Sequence, residues 1–461
     1  MRNYFQKAIY LLLFITFFSC SVFAQVNSPY SRIGLGNIFP TTFSASNGMG
    51  GLTVAQFSDL FVYGNNIQYT NPATYSFLSK TVFEVGVYAN FLNLQTSTDE
   101  FTSGDANLSY FAFGFSPNNK RSQHDFGFSA GLIPYSGFQY NIQQDSLNVT
   151  DTLIGTQSIN YRGDGTLYQF YGGLGYNYKF GEDSIHKATY HNSIGVGVNG
   201  GYLFGSLENI TVASFPDAGN SFSTKYVRGT DMGGGIMNAG LTYQTTFGKY
   251  DKRDIENKVD TLYTLNIGAS FSPSIQIDGT QSISWFTVKK FDEVEQIVDT
   301  LLIKNDTSTS IVIPAQFTAG LSFNNFKNQD GSKTKFSVGA EYTTTLWSQY
   351  EGFQYSDSLA NSYRIKIGAE IIPSREDKTK RLIPYRFGAY VGKSYVVVDG
   401  EQLSDFGITI GSGIPFGISR LNIAANLGFR GNNAEIQETY ANFSLGFNLN
   451  DLYWFQKREK Q

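Results

Sequence analysis

The sequence has 461 residues, and its low charge content already excludes several classes of protein. Charged residues make up 16% of the chain, against roughly 25% in a typical soluble domain, whereas Gly (48), Phe (40) and Tyr (30) are abundant. This composition with a mean hydropathy of -0.21 disfavours a bundle of membrane helices, and a net charge of -4 gives no reason to expect nucleic-acid binding.

The first 24 residues have the pattern of an export signal. Arg2 and Lys7 precede the apolar run Ala8 to Phe18, and Val22-Phe23-Ala24 is a small-residue cleavage site. The apolar run is too short to cross a bilayer as a helix. The alternative is cleavage before Cys20, the only cysteine in the sequence, as in a lipoprotein. After cleavage behind Ala24 the mature chain has no thiol, so no disulfide and no Cys-ligated metal is expected.

Residues 25–79 are rich in turn-forming residues and lack long alternation. In Gly48-Met49-Gly50-Gly51 the three glycines permit positive φ and tight chain reversal. Asn71-Pro72-Ala73 cannot lie in a paired central strand, because proline has no N–H to donate and keeps the preceding residue extended. We expect a unit that ends at Asn71-Pro72-Ala73; the alternative is an ordinary turn ahead of the first strand.

From residue 80 onward nearly every segment alternates between two faces, which is the period of a β-strand. In the first segment Phe83 and Val85 share one face, and Glu84 and Gly86 lie on the other. Bacterial outer-membrane barrels have even numbers of such strands. The fourteen segments are 81–94, 111–115, 126–132, 168–180, 194–204, 237–247, 263–271, 317–323, 336–346, 363–371, 385–391, 406–410, 421–429 and 443–449.

The sequence thus predicts an all-β fold, a transmembrane antiparallel up-and-down β-barrel of about 14 strands with an N-terminal plug, or hatch. A secreted sandwich array or propeller is the alternative, but no repeat of roughly 40–50 residues supports it. The expected domains are a signal peptide at 1–24, the hatch at 25–79, the barrel at 80–456 and a periplasmic tail at 457–461.

The connections 136–160, 205–232 and 280–312 are predicted to be long external loops, with the shorter turns in the periplasm. The shorter turns are mostly basic and the long connections mostly acidic. This asymmetry supports the orientation, although solvated turns carry charges in any case.

Strings that resemble catalytic motifs lie inside alternating strands. Gly127-Phe128-Ser129-Ala130-Gly131 lacks the strand-to-helix turn of a nucleophile elbow, and Gly195, Gly197 and Gly200 lack the helix of a dinucleotide fingerprint. We therefore expect no enzyme activity, no cofactor and no metal site.

The glycine motif, followed about twenty residues later by Asn71-Pro72-Ala73 and then by the first strand, resembles the hatch of the FadL family of outer-membrane transport proteins. The resemblance implies a plugged fourteen-stranded barrel in the Gram-negative outer membrane that moves long-chain fatty acids and other hydrophobic molecules inward. The hatch or gating residues it implies are Gly48, Gly50, Gly51, Asn71, Pro72 and Ala73. Between the two motifs, Val54 to Gln68 departs from the usual acidic, small-residue stretch, with Asp59 its only acid.

The leading functional hypothesis is passive uptake of small hydrophobic molecules, in which movement around Asn71-Pro72 opens a path through the barrel. Its partners would be outer-membrane lipids and the hydrophobic ligand. The alternative is a barrel of the same fold that no longer transports and serves as a subunit of an outer-membrane protein assembly or secretion complex, with outer-membrane or periplasmic protein partners. The aromatic hatch, the basic turns and the tail residues Lys457, Arg458 and Lys460 favour this alternative.

Overall fold

The structure is a computed structural model in which the predicted signal peptide at 1–24, with Cys20, and the predicted tail at 457–461 lie outside the described residues. The described residues are 28–57, 66–97, 99–117, 122–147, 156–182, 190–217, 221–250, 259–291, 294–326, 334–352, 359–374, 382–398, 400–432 and 436–451.

The described chain forms one antiparallel sheet of 18 strands that closes on itself. The strands are β1 (Asn37–Ile38), β2 (Thr81–Gln95), β3 (Glu100–Phe115), β4 (His124–Gly137), β5 (Tyr140–Leu147), β6 (Thr156–Glu182), β7 (Tyr190–Ser214), β8 (Ser223–Tyr250), β9 (Val259–Ser272), β10 (Ile275–Phe291), β11 (Val294–Ile313), β12 (Gln316–Phe326), β13 (Lys335–Thr345), β14 (Ser362–Ile372), β15 (Tyr385–Val398), β16 (Glu401–Phe416), β17 (Ser419–Gly431) and β18 (Gln437–Asp451).

Three wall strands are interrupted, so these segments make fourteen barrel strands. β4 and β5 both pair with β6, and β9 and β10 both pair with β8. Pro273 separates β9 from β10, and Pro314 separates β11 from β12, because a proline cannot donate to the ladder. The short β1 belongs to the plug, and β18 pairs with β2 to close the ring. The predicted fourteen-stranded transmembrane barrel is confirmed.

The two faces of the wall carry different side chains, as the alternation predicts. On β6, Phe170 and Leu174 are 53% and 62% exposed on the outside, whereas Gln169 and Tyr171, the two neighbours of Phe170, are buried. Exposed aromatic and aliphatic side chains continue around the ring, for example Ile408 on β16. Such an apolar outer face with a polar interior is the arrangement that a bilayer imposes on a barrel.

The connections predicted as long external loops are largely strands. β5, β6, β7, β8, β10 and β11 run through 136–160, 205–232 and 280–312 and form a six-stranded sheet that continues beyond the barrel. The loop prediction is therefore wrong for most of these residues. A sheet in water has no lipid-facing side, so its strands need backbone pairing but not strict alternation of apolar and polar residues.

The plug consists of the described residues 28–57 and 66–80 and lies inside the barrel. It contains two 3₁₀ helices, Pro29–Arg32 and Pro72–Phe77, and the short helix α1, Ser44–Asn47. No helix among the described residues is long and apolar enough to cross a bilayer.

Two apolar clusters hold the plug at different heights. In the upper cluster Leu35 packs with Phe138 and Leu203 from the outer parts of the wall. In the lower cluster Phe43 stacks on Tyr110 of β3, with ring centroids 3.9 Å apart. Because Leu35, Phe138 and Leu203 are fully buried, a packed core fills this outer part of the lumen.

Candidate functional site: the plug and its seat in the barrel

The glycines of the predicted hatch lie where plug backbone touches wall backbone. A Cβ on Gly48 would lie 2.9 Å from the Cα of Gly411 on β16. Gly50 has a φ of 71° and donates its N–H to Oγ1 of Thr409 at 2.8 Å. Gly51 has a φ of 79°. Only glycine fits this turn without displacing the wall, because a side chain at Gly48 or Gly50 would overlap backbone atoms.

Asn71 bonds both within the plug and to the wall. Its Oδ1 accepts the N–H of Ala73 at 3.2 Å and so caps the 3₁₀ helix that Pro72 begins. Its Nδ2 donates to the carbonyl oxygen of Val54 in the plug at 2.8 Å and to that of Leu241 on β8 at 3.0 Å. The Asn71 side chain is fully buried, so all three bonds are made away from water.

The structure does not bring the two predicted motifs together. The Gly48–Gly51 turn lies against β14, β15 and β16, whereas Asn71, Pro72 and Ala73 lie against β6, β7 and β8. These strands are on opposite sides of the ring. The six residues therefore hold the plug at two separate contact points on the wall.

Glu341 of β13 bonds the plug backbone and a second wall residue at the same time. Its Oε2 accepts the backbone N–H groups of Thr53 at 2.7 Å and Val54 at 2.9 Å. Its Oε1 accepts from Nζ of Lys366 on β14 at 2.8 Å, and Lys366 also donates to the Gly51 carbonyl oxygen at 3.1 Å. The Glu341 side chain is 2% exposed. A buried carboxylate with this many donors fixes the plug backbone at one position.

Wall asparagines satisfy further plug carbonyl groups. Asn199 donates from Nδ2 to the Tyr69 carbonyl oxygen at 3.0 Å, and Asn266 donates to that of Phe57 at 2.7 Å. Asn199 also accepts the hydroxyl of Tyr75 at 3.1 Å. Burial raises the pKa of Tyr75 well above its usual value, so this phenol remains a neutral donor.

Glu341, Lys366 and the wall asparagines were not identified as site residues from the sequence. The available signal was a charged residue in the middle of a membrane-crossing strand, as in KFSVGAEYTTT (335–345) and SYRIKIGAEII (362–372). Such residues must face the lumen and find partners there.

A cavity of about 390 Å³ lies between the plug and the wall. Charged side chains line one side of it and are already paired: Arg364 with Asp405, and Arg430 with Glu438 at 3.4 Å. Tyr440 donates its hydroxyl to Asp405 at 2.5 Å. Apolar side chains such as Ile38, Leu92 and Trp347 line other parts of the cavity, so its lining is mixed. At the charged side, an apolar ligand would cover polar groups without replacing their contacts with water.

The wall is incompletely paired between β3 and β4. Their ladder runs from Phe111↔Leu132 to Phe115↔Phe128, while the rest of β3 pairs with β2 alone in the described chain. The cavity reaches Leu108 and Tyr135 on the two sides of this separation. A side opening of the wall therefore adjoins the cavity.

The site is thus a plug fixed inside a transmembrane barrel by hydrogen bonds and buried charges. A family model described as BamG matches residues 5–460, and the chain belongs to that family. No curated protein matches the sequence.

Two solved structures resemble this fold. A FadL homologue from Pseudomonas aeruginosa is 13% identical with a TM-score of 0.51, over 90% of this chain and 99% of that one. The toluene transporter TodX from P. putida is 14% identical with a TM-score of 0.50, over 90% of this chain and 100% of that one. At these identities the likeness establishes a FadL-like barrel fold and nothing about the ligand.

Proposed function

We propose that this protein is a plugged, non-transporting barrel that serves as a structural subunit of an outer-membrane protein assembly or secretion complex in a Gram-negative cell. The observation that carries the proposal is the seat of the plug: Glu341 binds two plug N–H groups and Lys366 inside the wall. Moving the plug would leave the N–H groups of Thr53 and Val54 and the carbonyl oxygen of Gly51 without these partners, at a cost of roughly 1–3 kcal/mol for each buried group that stays unpaired.

Three further observations support this function over uptake. A packed core around Leu35 fills part of the outer lumen, and ion pairs line one side of the cavity. The family designation BamG adds weight to a role in a membrane assembly. The proposal assigns no catalytic step to the chain.

The test is affinity purification of the tagged, full-length protein from native membranes in a mild detergent, with quantitative mass spectrometry. We expect stoichiometric outer-membrane or periplasmic partners. The control is an unrelated barrel of similar size with the same tag. Recovery of the protein alone, at the background level of the control, would contradict the proposal.

A second candidate, passive uptake of small hydrophobic molecules, is favoured by the opening between β3 and β4, where Leu108 is 47% exposed beside the cavity. Its test is uptake of a labelled fatty acid by a deletion strain with and without the restored gene. The leading proposal expects equal uptake; uptake that falls on deletion and returns with the gene would favour the second candidate.

A further inference from the structure

Above the barrel rim, β11 is an edge strand. It pairs with β10 along one side from Val294 to Ile313. On its other side, within the described chain, its backbone pairs only at Val312, with Glu351. The wall strand β13 ends at Thr345, so it does not extend beside the outer part of β11. Among the described residues, the outer part of β11 therefore has an unpaired edge, interrupted by bulges at Val298 and Leu301 and by the N–H of Thr300, which donates to Oδ1 of Asp299.

The exposed part of β11 is aliphatic on both faces. Ile297, Val298, Leu301, Leu302 and Ile303 are 59%, 52%, 53%, 44% and 55% exposed. The ladder with β10 puts Ile297 and Ile303 on one face and Leu302 on the other, and Val298 and Leu301 are the extra residues of two β-bulges. Together they offer roughly 400–500 Å² of apolar surface, which with a matching partner surface approaches the ~1,000 Å² that a specific interface needs.

The opposite edge of the same outer sheet is different. β5 pairs with β6 alone among the described strands, and its exposed residues are the polar Asn141, Gln143, Gln144 and Asp145. Polar side chains are the usual protection of a sheet edge against pairing with other chains. β11 also carries charges, at Asp299 and Lys304, and bulges at Val298 and Leu301, but it exposes the aliphatic Leu301, Leu302 and Ile303 in succession, which β5 does not.

The charges on the β11 hairpin indicate what would bind there. Lys304 is the single basic residue of β11, against Glu295, Asp299 and Asp306, and Asp292-Glu293 precede the strand in the sequence. Glu295 bonds Lys225 of β8, whereas Asp299 and Asp306 are both exposed. A second copy in the same membrane would present its β11 in the same direction and set Asp299 near Asp299, which is repulsive.

We propose that the edge of β11 binds an extended segment of a protein partner, which adds to the outer sheet as a further strand and carries alternating aliphatic side chains and basic residues. The inference rests on the proposed function, since it names the kind of partner that a subunit of an assembly would hold on its outer side. Backbone hydrogen bonds supply the pairing, and the aliphatic and acidic positions of β11 select the sequence.

Site-specific photo-crosslinking tests the inference in the intact protein in its native membrane. A photoreactive amino acid replaces Ile297 or Leu301 on β11, and matched controls carry it at Gln143 or Gln144 on the β5 edge. We expect crosslinks from β11 to one extended, basic segment of another protein, and at least tenfold fewer from β5. Crosslinks from β11 to a second copy of this chain, to lipid or to nothing would overturn the inference.

A double variant, Leu301→Lys with Ile303→Lys, provides a second readout. With the photoreactive residue at Ile297, we expect its crosslink to fall at least tenfold, whereas Gln143→Lys leaves it unchanged. Heat-modifiable gel mobility verifies that each variant has folded into a barrel. An unchanged crosslink in the folded double variant would refute the β11 site. If the wild-type protein still purified with stoichiometric partners, the proposed function would stand without this site.

Discussion

Replacing Glu341 with Gln tests whether the wall carboxylate holds the plug. The change keeps the shape but removes the charge that accepts from Thr53, Val54 and Lys366. Lys366 is also a wall residue, so opening of the plug breaks the hydrogen bonds that Thr53 and Val54 donate to the carboxylate, and a hydrogen bond to a charged group contributes roughly 1.5–3 kcal/mol. Since the site adjoins the cavity, where relaxation is easier, we expect the free energy of local plug opening to fall by about 2–3 kcal/mol. This is roughly a 30- to 150-fold increase in the opened population.

Hydrogen exchange of the peptide spanning residues 53–57 measures this opening, with the protein in detergent or nanodiscs. The control is Glu295→Gln, which removes an exposed ion pair with Lys225 in the outer sheet and is expected to leave the plug amides unchanged. If exchange in Glu341→Gln rises less than threefold, the carboxylate does not fix the plug and the reasoning fails.

Two further substitutions test the predicted hatch residues. Asn71→Asp keeps the shape but removes the donor to the carbonyl oxygens of Leu241 and Val54. We expect the local stability of the plug to fall by about 2–4 kcal/mol, measured as faster hydrogen exchange in residues 72–77. Exchange equal to that of the wild type would show that these bonds contribute little. Gly50→Ala places a Cβ 2.7 Å from a wall carbonyl oxygen at positive φ, whereas Gly400→Ala has positive φ but open space around it. We expect Gly400→Ala to lower the free energy of unfolding in urea by about 1–2 kcal/mol and Gly50→Ala to lower it by clearly more. Equal decreases would contradict the close contact between plug and wall at Gly50.

The barrel could be predicted from the sequence because a bilayer and a polar lumen impose alternation on every crossing strand. Phe170 and Leu174 outside, with Gln169 and Tyr171 inside, are the direct result. The outer sheet could not be predicted in the same way. Residues such as Leu301, Leu302 and Ile303 are consecutive and apolar, and in water no lipid sets one face apart from the other.

The site was predicted in part. The Gly48–Gly51 turn and Asn71-Pro72-Ala73 were recognised as plug residues because glycine permits tight turns, proline excludes a paired strand, and their order resembles the FadL-family hatch. That the two motifs contact opposite sides of the ring depends on pairing between distant strands, which no local pattern contains. Glu341 and Lys366 face each other and the plug only after β13 and β14 are in register. Whether any of these residues gates a path stays a prediction.

Locking the plug to the wall tests the central claim most directly. Asn47 of α1 donates to Oγ of Ser444 on β18 at 3.3 Å, so cysteines at these two positions can be joined by a short crosslinker that forms a disulfide with each thiol and is released by reduction. We predict that the locked protein, like its reduced form, retains its stoichiometric partners and restores the outer-membrane protein content of a deletion strain. Loss of this activity on locking, with recovery on reduction, would show that the plug must move and would contradict the account.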